Sequence, residues 1–205
     1  MIADTRIPAT RTIHPKILYF GTPVVLLTTV NEDGTSNITP MSSAWALTDR
    51  IILGLGEGGK GLLNLSRDPD CVINLPSADL WHQVEALAPL TGVNPVPTSK
   101  AAQFHFARDK FAAAGLTPLA SDCVRSARIA QCPIQIEASV QSIQMTGDPV
   151  RFAIVETLVH RVHVHEGLAQ SDEHVNPARW NPLIYSFRHY FGLGCELGKT
   201  FRAQV

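Results

Sequence analysis

The sequence predicts a mainly β protein, in which an antiparallel barrel carries α elements and a helical insertion. Three features of the chain predict this class. Short segments rich in β-branched residues recur between turn sequences, and two of them are joined by the tight-turn sequence NEDG. A segment rich in Ala, Phe and Leu separates the first group of strands from the second. Runs of short strands joined in this way favour an antiparallel barrel.

Length and composition favour one domain, residues 1–205, with an insertion at residues 77–128. The chain has 205 residues, of which 45% are hydrophobic and 17% charged, enough to bury one substantial core. Its formal net charge is -1, and Lys and Arg are not clustered. Because nucleic-acid and anionic-membrane surfaces favour such clusters, we expect neither partner and consider small-molecule ligands instead.

The cysteines and the N-terminal segment predict a reduced compartment, with the cytoplasm as the default. The four cysteines form no CxxC pair, and the sequence shows no secretory signal and no apolar run of about 18 residues. Residues 1–15 lack the apolar centre of a signal peptide. We interpret them as an irregular lead-in that lies over the barrel or over a partner chain.

The first predicted strands form a hairpin. Residues 24–30 are an apolar, β-branched run that begins after Pro23 and ends at the NEDG turn, whose Gly34 permits a positive φ. The return strand, residues 35–46, contains Pro40, which cannot donate a backbone hydrogen bond and therefore predicts a sheet edge or a bulge. Amides next to Pro40 are then free to bind something else.

A glycine-rich loop, GLGEGGKG, follows the third predicted strand at residues 51–55. A short helix at residues 61–67 and a fourth strand at residues 71–75 come after it. The loop offers free amides and the positive charge of Lys60, both of which suit a phosphate. The alternative is a solvated turn with an exposed lysine.

Two nucleotide-binding motifs match this loop only superficially. The first is GxGxxG, with Asp79 lying 20 residues beyond Gly59. Seven helical residues are too few for the crossover helix of a dinucleotide-binding fold. The second is GxxxxGK, in which Gly61 replaces the Ser or Thr that binds magnesium. Neither a Rossmann domain nor an NTPase is therefore expected.

The rest of the chain is predicted as the insertion followed by strands. Residues 77–128 have Pro and Gly breaks between helical stretches and form a candidate lid or substrate wall, although packing is the expected role of Phe104, Phe106 and Phe111. Strands resume at residues 134–144 and 151–165. The segment PLIYSFRHY at residues 182–190 follows, and the glycine-punctuated tail is expected to be irregular.

The histidines raise a metal hypothesis. His163 and His165 share one face of a predicted strand, and His174 follows nearby, with Glu166 and Asp172 available. No HExxH or cysteine-containing spacing accompanies them, so ordinary strand or surface histidines are the alternative. A serine hydrolase is not expected, since the serines of the second strand lack a GxSxG elbow.

The order of these segments resembles the flavin reductase-like group of FMN-binding split-barrel proteins. The resemblance lies in the strand, the NEDG hairpin, NITPMSSAWAL, the next strand, the glycine-rich loop, KGLLNL and CVINLP, and later in PLIYSFRHY. It covers residues 17–193, and its strength is the ordered combination. It implies a six-stranded antiparallel Greek-key split barrel, a homodimer, and FMN bound near the interface.

The resemblance also implies which residues hold the cofactor, with a phosphate at Lys60 and the flavin ring along the second strand. The implied cofactor-binding residues are Asn37, Thr39, Pro40, Ser42, Ser43, Ala44, Gly59 and Lys60. NADH or NADPH is the implied hydride donor, with Arg151, Arg188 and His189 as the residues that would contact it. The His-containing strand motif of these reductases is replaced here by Arg151-Phe152-Ala153-Ile154.

The implied activity is hydride transfer from NAD(P)H to flavin or another small acceptor. A flavin carries the reaction itself, so the protein needs no catalytic residue of its own beyond groups that orient the ring and stabilise its charge. Two alternatives stay open at this point. One is a flavin- or haem-binding carrier or sensor without turnover, and the other is a metalloenzyme built on the histidines.

Overall fold

The structure, a computed structural model, describes residues 7–200. Residues 1–6, which belong to the predicted lead-in, and residues 201–205 lie outside this range. Residues 7–19 contain no helix or strand and are mostly exposed, as the lead-in prediction requires. Within residues 7–200, no helix has the length and apolar character needed to cross a membrane.

The N-terminal third holds six strands and one helix. In chain order these are β1 (Phe20–Pro23), β2 (Val25–Val30), β3 (Ser36–Met41), β4 (Ala44–Leu47), β5 (Arg50–Gly56), α1 (Lys60–Leu65) and β6 (Asp70–Leu75). The predicted strands and the short helix are thus present, with ends displaced by one or two residues. The predicted second strand is divided into β3 and β4 at Ser42 and Ser43.

The insertion is mixed helix, turn and short strand. A 3-10 turn (Ala78–Leu80) leads into its elements, which are α2 (Trp81–Leu87), β7 (Leu90–Thr91), β8 (His105–Phe106), α3 (Lys110–Ala114), β9 (Pro118–Leu119) and β10 (Arg128–Ile129). Helix α3 begins where the Asp109 side chain accepts a hydrogen bond from the Ala112 amide, and it ends at Gly115 in the left-handed conformation.

The C-terminal part begins with two long strands. They are followed by a 3-10 turn (Glu166–Leu168) and by short hairpins, and the strands are β11 (Ile134–Thr146), β12 (Phe152–Val164), β13 (Ala169–Ser171), β14 (His174–Val175), β15 (Ile184–Ser186) and β16 (His189–Phe191). The predicted irregular tail has no helix or strand in residues 192–200.

Seven strands form one antiparallel sheet in the order β3-β2-β6-β11-β12-β5-β4. The two edge strands, β3 and β4, are consecutive in the chain and are separated only by Ser42 and Ser43. One bent segment therefore supplies both edges of the sheet, which is the arrangement of a barrel. The predicted class, a mainly β split barrel with α elements, is confirmed, and Pro40 lies on an edge strand as expected.

Alternation along the strands separates two apolar cores. On β2, Val25 and Leu27 belong to the core inside the barrel, whereas Leu26 belongs to a second core on the outer face. The second core is completed by the insertion, including Leu87 of α2 and Phe111 of α3. The insertion thus covers the outer face of β2 and β3. Of its phenylalanines, Phe111 has the predicted packing role.

Candidate functional site

The first part of the site is the polar stretch of β3. The Asn37 side chain is 3% exposed, and its Nδ2 donates to Thr39 Oγ1 over 3.0 Å. Residues two apart on a strand lie on the same face, which places both side chains together. A fully formed amide-hydroxyl pair of this kind holds two polar groups in fixed positions, as a ligand site requires.

Lys60 lies beside this pair because two glycines permit close packing. A Cβ on Gly92 would lie 2.6 Å from Asn37 Oδ1 and 2.8 Å from Lys60 Cγ. A Cβ on Gly61 would lie 2.8 Å from Thr39 Oγ1. Any side chain at either position would displace its neighbour, so these glycines bring the lysine stem, the amide and the hydroxyl into contact.

The second part of the site is the corner between β3 and β4. Ser43 Oγ and Tyr19 Oη are 2.6 Å apart, and the Ser43 carbonyl accepts a hydrogen bond from the Gly54 amide over 2.7 Å. Ser42 is 8% exposed. At about 3.3 Å per residue, Ser43 lies roughly 13 Å along the segment from Thr39. The two parts therefore form an elongated polar track, with a cation at one end.

A hollow of about 480 Å³ opens at the cationic end of this track. Its walls come from the β2–β3 turn, from α1 and from the insertion, and its lining residues are Asn31, Glu32, Asp33, Asn37, Lys60, Leu63, Gly92, Val93, Asn94, Phe106, Ala107 and Arg108. The insertion is thus a wall of the hollow, as the sequence suggested, and Phe106 is part of that wall. Of the predicted cofactor-binding residues, Asn37 and Lys60 line the hollow, whereas Thr39, Pro40, Ser42, Ser43, Ala44 and Gly59 do not.

The charged groups of the hollow form two ion pairs. Lys60 Nζ lies 2.8 Å and 2.6 Å from the two carboxylate oxygens of Glu32, and Arg108 lies 2.9 Å from Asp33 Oδ2. The hydrogen bond from Lys60 lowers the pKa of Glu32 below its usual range. The hydroxyl and amide of Thr35, followed by Arg108, lower the pKa of Asp33 to about 2. Both carboxylates are therefore ionised at neutral pH.

Arg188 and His189 lie in a second hollow, of about 510 Å³. Arg188 ends the β15–β16 turn and His189 begins β16. The other lining residues are Ala78, Trp81, Glu85, Leu183, Tyr190, Phe191 and Gly192. Aromatic rings connect this hollow towards the serine corner, since the Tyr190 and Tyr185 centroids are 5.7 Å apart and those of Tyr185 and Tyr19 are 5.5 Å apart. The walls present ring faces and edges on which a planar ligand could stack.

Arg151 lies apart from both hollows. It comes immediately before β12, where its guanidinium is 3.1 Å from Glu57 Oε1, and both side chains are about half exposed. The three residues that the resemblance implied for the hydride donor therefore divide into a pair, Arg188 and His189, and one separate arginine. Arg188 and His189 line the same hollow. The charge of Arg151 is instead paired with Glu57.

The histidines named in the metal hypothesis are not brought together. His163 Nε2 lies 2.6 Å from Glu137 Oε1, His165 Nε2 lies 3.0 Å from the Ala130 carbonyl, and His174 contacts Ser171. Within residues 7–200, the group with metal-ligand proximity is instead Asp122, Glu137 and His163. The hypothesis of a site built on the three histidines is wrong, because each ring has a different local partner and His174 lies in the separate β13–β14 hairpin.

The Glu137 group is occupied by internal partners. Its buried carboxylate accepts the amides of Asp122 and Cys123 as well as His163, and Arg161 lies 2.6 Å from Asp122. Burial opposes ionisation of Glu137, but these hydrogen bonds prevail and lower its pKa. This cluster therefore ties the insertion to β11 and β12, and its oxygen atoms are already used.

Besides Gly92, three residues with side-chain contacts at the site were not predicted from the sequence. Tyr19 lies just before β1, Arg108 lies in the insertion, and the sequence indicates Glu32 only as part of the turn. Each reaches the site through a contact between distant parts of the chain. Arg108, for example, contacts Asp33, which lies 75 positions earlier. The one local signal was the pair of acids in the NEDG turn, which lies near Lys60 once the hairpin and α1 have packed together.

Comparisons with known proteins agree with this architecture. The chain is 53% identical over 194 residues to the uncharacterized protein YdfE of Bacillus subtilis (strain 168), covering 94% of each chain. Among solved structures it is similar to flavoredoxin of Desulfovibrio vulgaris (Miyazaki F), with a TM-score of 0.77, 21% identity and coverage of 95% of this chain and 99% of that one. It is also similar to component B of nitrilotriacetate monooxygenase from Bacillus cereus, with a TM-score of 0.75, 17% identity and coverage of 94% and 100%.

The two structural likenesses, both below 25% identity, establish the fold. The family follows from a separate finding, a match of residues 17–194 to the model of the flavin reductase like domain. That range includes the polar track, both hollows and the whole insertion. The chain therefore belongs to the flavin reductase-like domain family.

Proposed function

We propose that this protein binds FMN and transfers hydride from NADH or NADPH to the flavin or to another small acceptor. The observation that carries the proposal is the polar track on β3 and at the β3–β4 corner, which ends at Lys60. FMN is itself elongated, with a planar ring at one end and a phosphate at the other. The family assignment supports flavin chemistry, and the track supplies a place of the right chemical character.

The residues present fit a flavin mononucleotide. Gly92 and Gly61 leave room where any side chain would collide with Asn37, Lys60 or Thr39. Hydroxyl, amide and backbone groups of the track would hold the polar edge of the ring, and Lys60 would hold the phosphate. The donor set contains no thiol or imidazole cluster that would favour a metal or a haem instead.

The bound flavin supplies the ring that accepts hydride. The chain's own contribution is to orient that ring and to stabilise negative charge on its pyrimidine side, for which Ser42, Ser43 and the backbone at Ala44 are available. The Tyr19 hydroxyl, 2.6 Å from Ser43 Oγ, fixes the serine rotamer. No nucleophile or acid–base pair is needed from the protein, so this is catalysis by orientation and electrostatics.

We assign the donor to the second hollow and its neighbourhood. Arg188 and His189 are the residues proposed to contact the reduced nicotinamide, with Trp81 and Tyr190 as stacking walls. Arg151 is paired with Glu57 and does not line this hollow, so its geometry supports a donor contact less than that of Arg188 or His189. The proposed compartment is the reduced cytoplasm, where NADH and NADPH are available.

We also propose that the protein is a homodimer. An apolar patch lies on the outer face of β4 and β12, where Trp45, Leu47, Phe152 and Ile154 are 58%, 64%, 41% and 38% exposed. The strand register places Trp45 opposite Ile52, and Ile154 opposite Gly54, on neighbouring strands. An apolar sheet face of this kind is typical of a subunit interface. Light scattering of the purified protein tests the proposal, and a monomeric mass would reject it.

The function is tested by the visible absorption spectrum of the protein with FMN, recorded before and after anaerobic addition of NADH and then of NADPH. We expect the flavin bands to shift on binding and to bleach with one of the two donors. Bands that shift but never bleach would favour the carrier or sensor. Bands that do not shift would reject FMN binding.

A further inference from the structure

Two consecutive acidic residues of the β2–β3 turn form ion pairs with the two cationic residues that line the first hollow. Glu32 holds Lys60 with contacts of 2.8 Å and 2.6 Å, and Asp33 holds Arg108 at 2.9 Å. Lys60 comes from α1 and Arg108 from the insertion, so one short turn contacts both walls of the hollow. The place where an anionic ligand would meet these cations is filled by the chain's own carboxylates.

The two acids are held differently. Asp33 is an integral part of the turn, because its Oδ1 accepts the amide and the hydroxyl of Thr35 at 3.1 Å and 2.6 Å. The structure gives the Glu32 carboxylate two side-chain partners, Lys60 and, at 3.2 Å, Arg67. The Glu32 side chain is 66% exposed, so it can rotate into solvent without disturbing the turn.

Lys60 is the fixed member of its ion pair. Its side chain is only 14% exposed, and its stem packs so closely against Gly92 that a Cβ there would lie 2.8 Å from Cγ. The ammonium group therefore stays in the hollow whichever anion it contacts. The Glu32 carboxylate is mostly exposed and regains full hydration when it leaves Lys60, so exchange of this anion for another costs little.

The charges around the hollow match a dianion once Glu32 leaves. Lys60, Arg67 and Arg108 carry three positive charges, and Glu32 and Asp33 carry two negative ones. With Glu32 rotated outward, Lys60 and Arg108 in the hollow and Arg67 beside it carry three positive charges against the single carboxylate of Asp33. The local excess of two positive charges equals the charge of a phosphomonoester dianion, whose oxygens accept several charge-assisted hydrogen bonds.

We propose that Glu32 is an internal competitor for the phosphate site, that a phosphomonoester dianion displaces it from Lys60, and that Arg108 is the second cation contacting the phosphate. The inference rests on the proposed function for the identity of the ligand as FMN. It assigns to this hollow a selectivity for phosphorylated flavin over riboflavin, which has the same ring but no phosphate. Neutral ligands gain nothing from displacing Glu32.

The first test compares Glu32→Gln with Glu57→Gln in titrations followed by flavin fluorescence. Glu57 is a matched control, since it also pairs with an arginine but lies outside the hollow. We expect Glu32→Gln to tighten FMN binding about threefold to tenfold, because the competitor and its repulsion of the phosphate are both removed. Riboflavin affinity should not change in either variant, and Glu57→Gln should leave FMN affinity unchanged.

The second test compares Arg108→Gln with Arg161→Gln in the same titrations. Arg161 is a matched control, since it also pairs with an aspartate but lines neither hollow. We expect Arg108→Gln to weaken FMN binding about tenfold, the value of one charge-assisted contact, with riboflavin affinity unchanged. Arg161→Gln should behave like the wild type. A circular dichroism melt of each variant confirms that it is folded before the titrations are compared.

The outcomes separate this inference from the function on which it rests. If wild-type protein binds neither flavin, the proposed function fails. If it binds flavin but Glu32→Gln leaves FMN affinity equal or weaker, or changes riboflavin affinity in parallel, the internal competitor is rejected while flavin binding stands. Unchanged FMN affinity in Arg108→Gln removes Arg108 from the phosphate site.

Discussion

Lys110 is a buried lysine next to the polar track, and it predicts how stability depends on pH. It begins α3, is 4% exposed, and donates from Nζ to the Ile38 carbonyl over 2.8 Å. Ile38 lies between Asn37 and Thr39, so this contact anchors the track to the insertion. Burial lowers the pKa of Lys110 from 10.5 to about 8.

The sign of the effect follows from proton binding in each state. Below pH 8 the lysine is protonated in both the folded and the unfolded chain, and the cost of burying its charge is fully present. Between pH 8 and 10.5 the unfolded chain binds a proton that the folded protein has lost, so this residue's contribution to stability rises with pH. At 1.36 kcal/mol per pH unit, the rise amounts to about 3 kcal/mol.

The measurement is the free energy of unfolding in urea at several pH values from 7 to 10.5, for the wild type and for Lys110→Met. Other groups, such as Cys71 and Tyr190, have pKa values raised chiefly by burial and act in the opposite direction. They are common to both proteins, so the difference between the two curves isolates Lys110. We expect that difference to change by about 3 kcal/mol in favour of the wild type as pH rises.

Lys16→Met serves as the control, because Lys16 is exposed. Its stability curve should run parallel to that of the wild type. A Lys110→Met curve that is also parallel to the wild type would show that Lys110 titrates normally in the folded protein. The explanation from burial would then be refuted.

Three further predictions concern the site and the sheet. Lys60→Ala should weaken FMN binding by about 1–3 kcal/mol in a fluorescence titration while leaving riboflavin affinity unchanged, and equal FMN affinity would remove Lys60 from the site. Gly92→Ala should weaken FMN binding about tenfold through displacement of Asn37 and Lys60, whereas Gly56→Ala, where an added Cβ meets nothing within 4 Å, should not. Asn74→Leu should lower the free energy of urea unfolding by about 2–5 kcal/mol, because the Leu26 carbonyl and the Ile129 amide lose a buried partner; a loss below about 0.5 kcal/mol would contradict this.

The strands were predictable where one face of the sheet is buried. On β5, Ile51, Leu53 and Leu55 are buried and alternate with less buried residues, so the period of two is visible in the sequence. Pro40 similarly indicated an edge strand, and it lies on the edge strand β3, opposite Leu26 of β2. These features are local, because they depend on the geometry of a single strand or turn.

The arrangement of the site was predictable only in part. Asn37, Thr39 and Lys60 lie close together, but the roles of all the named site residues remain predictions. The contacts of Lys60 with Glu32 and of Asp33 with Arg108 depend on how the turn, α1 and the insertion pack. The sequence contains no periodicity that reports such contacts. For the same reason, the spacing of the three histidines in the sequence did not show that they lie apart in the fold.

The bend at Ser42 and Ser43 has a consequence for local opening of the sheet. Since β3 and β4 are the two ends of the sheet and share this bend, loosening it frees amides at both ends at once. A ligand held along the bend would slow hydrogen exchange of β3 and β4 together, while amides in the middle of the sheet, in β6 and β11, would exchange at rates set by global unfolding. A ligand bound along the track would thus stabilise the two outermost strands of the sheet together through the serine corner.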